Sequence, residues 1–164
     1  MTTAGKPLPD GSTPSRFSRR GFLLAGVGAI GLAGVAGARW FNLGASVQRG
    51  DLTAPAALAA AATGEVLLID IRRPEEWARS GIGQGAVPID MRRKDFINAL
   101  LGHSGGRKDI PVALICARGV RSARMAARLE AAGFTRVLDV PEGMSGSGAG
   151  PGWLKRGLPV VQPH

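Results

Sequence analysis

The chain has 164 residues, enough for one domain with a sizeable core and short for two. Its net charge of +9, from 21 basic and 12 acidic residues, suits an anionic small molecule better than nucleic acid, because no basic run is interleaved with aromatics and tyrosine is absent. A single cysteine excludes an intramolecular disulfide and a cysteine-rich zinc site, and with only His103 and His164 beside it no metal site is expected.

Met1 to Ser15 is polar, carries Pro7, Pro9 and Pro14, and is predicted to be disordered. Ser18-Arg19-Arg20-Gly21-Phe22-Leu23 resembles the twin-arginine export signal, and a weakly apolar stretch follows over residues 21–38. Six of those 18 positions are glycine, which suits a signal h-region and is marginal for a membrane span. Ala36-Gly37-Ala38 resembles an Ala-x-Ala cleavage site. Residues 1–38 are therefore expected to be a signal read by the twin-arginine export machinery, and the protein is expected to be periplasmic. A signal left uncleaved would instead anchor it to the inner membrane through residues 21–38.

Residues 39–52 read as a linker and residues 53–164 as the folded domain. Thr53 caps a helix with Pro55 in its first turn and an alanine-rich body to Thr63, ended by Gly64. Val66 to Ile71 is an apolar run right for a buried strand, and Pro74 opens a short helix after it. Ser80 to Gly85 is a glycine-rich loop, Val87 to Ile89 a short strand, Lys94 to Leu101 a helix and Gly102 to Lys108 a polar loop. Val112 to Ile115 is a second buried strand, followed by a tight loop and a helix with Met125, Leu129 and Ala132 on one face, which stops at Gly133. Arg136 to Val140 is a further strand. Gly143 to Gly152 has almost no structure-forming residues, Trp153 to Arg156 is a last helical turn, and Gly157 to Val161 nearly closes the chain. Strands alternating with helices predict an α/β fold, a central parallel sheet with helices on both faces.

Cys116 sits where the 112–115 strand ends and the next helix begins. The helix dipole, the free N–H groups of its first turn and the cations of Arg118 and Arg121 all favour a thiolate there. Gly119 lets the backbone turn sharply, Ser122 is expected to cap the helix, and the loop amides are able to converge as an anion-binding nest. Arg124 and Arg128 share the helical face of Arg121 and read as surface charge. Glu75 and Glu76 begin the short helix after Pro74, where acids complement its dipole, and do not read as a paired-carboxylate site.

Three motifs together resemble the single-domain rhodaneses, over about residues 53–161. Leu67-Leu-Ile-Asp-Ile-Arg-Arg-Pro-Glu-Glu-Trp77 is similar to their first signature, Cys116-Ala-Arg-Gly-Val-Arg-Ser122 to their active-site loop, and Gly143-Met144 with Trp153 and Gly157 to Val160 to their closing signature. The resemblance implies a rhodanese-like three-layer domain and a sulfurtransferase of the thiosulfate sulfurtransferase kind. Cys116 would be the catalytic nucleophile, carrying sulfur as a persulfide. Ala117, Arg118, Gly119, Val120, Arg121 and Ser122 would bind the substrate, with Arg118 and Arg121 on the donor's oxyanion end. It implies a small anionic sulfur donor such as thiosulfate, a thiol or cyanide-like acceptor that includes protein thiols, and no cofactor or metal. Asp70 and Arg72 read as a supporting ion pair, Trp77 and Trp153 as packing residues. Two features depart from the family pattern: the histidine usual after the first signature is absent from Ser80 to Ala86, and Ser145 to Gly152 form a glycine-rich insertion, read as a mobile flap or an inert loop. Two alternatives stay open at this stage. One is a sulfur-relay module fed by a partner protein. The other is a phosphatase or arsenate reductase on the related fold, disfavoured because four residues separate Cys116 from Arg121 where those enzymes have five.

Overall fold

The computed structural model describes Met1, Val35 and residues 37–48 and 50–163. The twin-arginine motif, the proline-rich start and nearly all of the apolar stretch 21–38 lie outside these residues. The chain divides into two units, the second running from Gly37 onward and containing the fold. Among the described residues no helix is long and apolar enough to cross a membrane.

The elements are α1 (Ala54–Thr63), β1 (Leu67–Asp70), α2 (Pro74–Ser80), β2 (Ile82–Gly83), β3 (Val87–Pro88), α3 (Phe96–His103), β4 (Val112–Ile115), α4 (Val120–Ala131), β5 (Val137–Asp139), α5 (Gly152–Lys155) and β6 (Val160–Val161). Four strands form a parallel sheet in the order β3-β1-β4-β5, with Asp70 opposite Ile115 and Leu114 opposite Asp139. β2 and β6 pair antiparallel in a separate two-stranded ribbon.

The sheet separates two cores. On one face Ile69, Ile71, Val112, Leu114 and Cys116 pack with Phe96 and Leu100 of α3 and Met125 and Leu129 of α4. On the other, Leu68, Ala113 and Ile115 pack with Ala54 and Ala57 of α1, with Trp153 of α5 and with Met144 from the turn before it. This is the three-layer α/β arrangement expected from alternating strands and helices. All four side chains of β4 are buried, which is why its apolar run is continuous. A one-residue slip would exchange Val112 and Leu114 for Ala113 and Ile115 across the sheet, so the end of β4, and Cys116 after it, is held in register.

The helix signals near α1 act as read: the Thr53 hydroxyl accepts from the Ala56 amide at 3.3 Å and Gly64 is left-handed at the C-cap. Four segments differ from expectation. The predicted Ser80–Gly85 loop contains β2, whose partner lies at the far end of the chain. The helix expected at Lys94–Leu101 runs from Phe96 to His103. The predicted linker 39–52 is helical over residues 37–41 and tied to the domain, with the Leu52 amide donating to the Asp139 carbonyl at 2.9 Å and the Gly148 amide to the Asn42 carbonyl at 2.9 Å.

The glycine-rich 143–152 segment is a folded turn. Met144 is fully buried, Ser147 bridges to Gly150, and the Ser147 hydroxyl donates to the Pro141 carbonyl at 2.7 Å. Buried Glu142 organises it: its carboxylate accepts from the Ala54 amide at 3.3 Å, the Gly152 amide at 3.1 Å and the Arg156 guanidinium at 2.8 and 3.1 Å. The glycines leave room for this carboxylate and for close backbone contacts, which is the physical reason the segment packs without apolar side chains of its own.

Candidate active site

Cys116 is 1% exposed, at the C-terminal end of β4 in the middle of the parallel sheet, where ligands bind in open α/β folds. The loop after it is held from behind. The Cys116 carbonyl accepts from the Met144 amide at 2.8 Å, the Ala117 carbonyl from the Ser145 amide at 2.9 Å and the Arg118 carbonyl from the Asn42 side chain at 2.8 Å. The Gly119 carbonyl accepts from the Ala123 amide at 3.2 Å and the Ser122 hydroxyl at 3.1 Å. In a planar trans peptide the N–H points opposite to the C=O. Pinning the carbonyls of Cys116, Ala117 and Arg118 to Met144, Ser145 and Asn42 therefore turns the amides of Ala117, Arg118 and Gly119 the opposite way. Among the described residues, no protein acceptor takes the amides of Ala117 through Ser122. Unclaimed donors in a row at a helix start form a nest for an anion.

Two glycines make the loop's close seating possible. Gly119 is left-handed (φ 79°) and lies against the Pro141 carbonyl. Gly143 is left-handed (φ 64°), and a Cβ there would come within 2.5 Å of the Ala117 carbonyl oxygen. The closing motif at Gly143-Met144 thus sits directly behind the loop.

Ser122 has a different part from the one expected. Gly119, not Ser122, occupies the N-cap of α4, and Ser122 is the third residue of the helix. Its buried hydroxyl turns inward, 3.5 Å from the Cys116 sulfur, because the Gly119 carbonyl lies within its reach.

Arg121 lies beside Cys116, but its guanidinium is engaged: it donates to both carboxylate oxygens of Glu76 at 2.7 Å. Glu76 also accepts from the Arg73 amide at 3.0 Å. Burial opposes the Glu76 charge, yet Arg121 and the Arg73 amide outweigh it and hold the carboxyl below its usual range. Sequence reading assigned Glu76 only to its helix start and missed this pair, whose members are 45 residues apart. Arg118 makes no ion pair among the described residues and stacks on Phe41, 4.6 Å from the ring centre. Asp70 and Arg72 form the expected buried pair, at 2.7 Å, and Arg72 continues to the Ser80 hydroxyl at 2.8 Å and the Gly81 carbonyl at 2.6 Å. Trp77 and Trp153 are packing residues, as read. Asp139, on neighbouring β5, was not singled out by its sequence context. Burial pushes its carboxyl up to about 6, the Ser122 hydroxyl partly offsets this, and Asp51 adds to the rise.

The cysteine loop opens onto a cleft of about 370 Å³, lined by Cys116, Ala117, Arg118, Val120, Arg121, Glu76 and Arg73, with Arg39 and Trp40 from the segment read as a linker. The structure thus gathers most of the predicted loop around one cavity and adds Glu76, Arg73, Arg39 and Trp40 to it.

The sequence profile of the Rhodanese-like domain family matches residues 53–148. A protein named Sulfurtransferase from Allochromatium vinosum is 35% identical over 102 residues, covering 62% of this chain and 84% of that protein. Thiosulfate sulfurtransferase 16, chloroplastic, from Arabidopsis thaliana is 32% identical over 101 residues, covering 56% of this chain and 77% of that protein. Among solved structures, the polysulfide-sulfur transferase homodimer from Wolinella succinogenes superposes with a TM-score of 0.53 at 25% identity, over 82% of this chain and 89% of that one. The family match spans the cysteine loop, the strand that presents it and the turn that backs it, and the chain belongs to the rhodanese-like domain family.

Proposed function

We propose that this protein is a sulfurtransferase that moves sulfane sulfur from an anionic donor such as thiosulfate to a thiol or cyanide-like acceptor through a persulfide on Cys116. The observation that carries the reading is the row of unclaimed amides from Ala117 to Ser122 around the cysteine. A persulfide is an anion, and such a row stabilises it with no other group required. The Cys116 thiolate attacks the outer sulfur of thiosulfate, the S–S bond of the donor breaks, and sulfite leaves with the electron pair. The acceptor then attacks the outer sulfur of the persulfide, and the Cys116 thiolate leaves. Arg118, free of any carboxylate among the described residues, serves the donor's oxyanion end, and Arg121, shared with Glu76, serves it less. Residues 1–38 act as a twin-arginine signal that sends the folded domain to the periplasm.

The test is the intact mass of the purified protein after incubation with thiosulfate. A gain of one sulfur atom, abolished in Cys116→Ser, is expected; a Cys116→Ser protein that still turned thiosulfate over would refute the mechanism.

A further inference from the structure

Among the described residues, Asn42 is the only non-glycine with a left-handed backbone (φ 52°). It ends the helical turn over residues 37–41. The Leu43 amide donates to the Ala38 carbonyl at 3.0 Å and the Asn42 amide to the Arg39 carbonyl at 3.3 Å, the bond pair of a Schellman helix stop. Glycine is the usual residue there, because it has no Cβ to strain. The chain has 25 glycines and places asparagine at this one, which points to a task of the side chain itself.

That task lies on the cysteine loop. The Asn42 side-chain amide donates to the Arg118 carbonyl at 2.8 Å. The Asn42 backbone carbonyl accepts from the Gly148 amide at 2.9 Å, and Gly148 has no room for a Cβ against the Leu43 carbonyl. Next to Asn42, the Phe41 ring carries the Arg118 guanidinium 4.6 Å from its centre. Phe41 and Asn42 thus hold Arg118 at both ends, the cation through the ring and the peptide through the amide. The family match begins at residue 53, so this clamp lies outside it. Its bonds to the domain involve no residue before Phe41, so removal of residues 1–38 leaves them in place.

We propose that Phe41 and Asn42 are positioning residues for the donor, fixing Arg118 so that its guanidinium meets the anionic end of the sulfur donor in the cleft. The inference rests on the sulfur-transfer reading and deepens it by assigning donor recognition in part to a segment outside the matched domain. A free arginine side chain has many rotamers and loses them when it grips a ligand. Arg118 is ordered before the donor arrives, so less affinity is lost to ordering it. A clamp that acts through Arg118 strengthens the binding of an anion. It leaves untouched the attack of the Cys116 thiolate on an uncharged reagent.

The test is Asn42→Gly in the full chain. Glycine keeps the left-handed helix stop and removes only the side-chain amide, so the fold survives. The first measurement is the KM for thiosulfate. It is expected to rise about threefold to tenfold with kcat nearly unchanged, as when an interaction equal in ground and transition states is lost. The second is modification of Cys116, the only cysteine, by methyl methanethiosulfonate. This reagent is neutral; the thiolate attacks its sulfenyl sulfur and methanesulfinate leaves. The rate is expected to match wild type, while the sulfate concentration that protects Cys116 rises by the same factor as the KM. Phe41→Leu is expected to act in the same direction, and Phe41→Tyr, which keeps an aromatic face, to match wild type. A wild-type KM and wild-type sulfate protection in Asn42→Gly would leave Asn42 a helix stop alone and overturn the proposal. A parallel fall in the thiosulfate and methyl methanethiosulfonate rates would mean that the clamp supports the loop and not the donor, and overturns it too. Sulfate protection needs no sulfur transfer. If wild type gained no sulfur from thiosulfate, the sulfur-transfer reading would fail and the protection measurement would still decide the clamp.

Discussion

Replacing Gly143 by alanine tests whether the turn behind the cysteine loop sets its catalytic geometry. At 143 the backbone is left-handed (φ 64°), which costs an L side chain roughly 1–2 kcal/mol. The added Cβ would also meet the Ala117 carbonyl oxygen at 2.5 Å, its carbon at 2.6 Å and the Arg118 nitrogen at 2.7 Å. All three are backbone atoms, so no side-chain rotation relieves the contact. Ordinary packing begins near 3.4 Å, so the loop must retreat by about 1 Å. A displacement of that size at reacting groups costs on the order of a hundredfold in rate. Gly157 supplies the control. It has the same φ of 64° with nothing within 4 Å of its Cβ position, so Gly157→Ala carries the conformational penalty alone. Both variants should unfold at lower urea than wild type, and only Gly143→Ala should lose about two orders of magnitude in kcat/KM for persulfide formation, followed by mass or by sulfite release. Equal kinetics in the two alanine variants would refute the claim that Gly143 positions the loop.

Three further outcomes are expected. Arg121→Ala should lower kcat/KM for thiosulfate by roughly tenfold to a hundredfold, because the cleft loses a cation and keeps the Glu76 carboxylate; Arg124→Ala, one turn further along the exposed face of α4, should change little, and equal kinetics for the two would make Arg121 surface charge. Burial raises the Asp139 carboxyl from 3.8 to about 6, so between those values the folded state holds a proton that the unfolded state has released, and stability falls as pH rises through that window. Asp139→Asn should remove this slope in urea titrations at pH 4 to 7, with a gain at neutral pH that the shift limits to about 3 kcal/mol before solvent screening reduces it; an unchanged slope would count against it. Changing Arg19 and Arg20 to lysine should stop periplasmic accumulation, if recognition reads the guanidinium pair and not charge alone; unchanged fractionation would refute twin-arginine export.

What the sequence determined by itself was whatever depends on short-range chemistry. The α/β class, β4 to the residue and the Thr53 and Gly64 caps of α1 were legible because buried parallel strands are continuous apolar runs and helix ends carry their own signals. The position of Cys116 between strand and helix was legible for the same reason. Tertiary structure alone decided what surrounds it. Glu76 meets Arg121 across 45 residues, Asn42 reaches the Arg118 carbonyl across 76, and Glu142 reaches the Ala54 amide across 88. The cap of α4 shows the distinction at one residue. Ser122 has the side chain a cap prefers, but Gly119 took the position because the loop needs a left-handed turn tight against Pro141. The linker and the glycine-rich turn read as unstructured because composition reports apolar side chains. These segments are held instead by backbone groups and one buried carboxylate whose partners lie far away in sequence, and such bonds leave no local pattern to read.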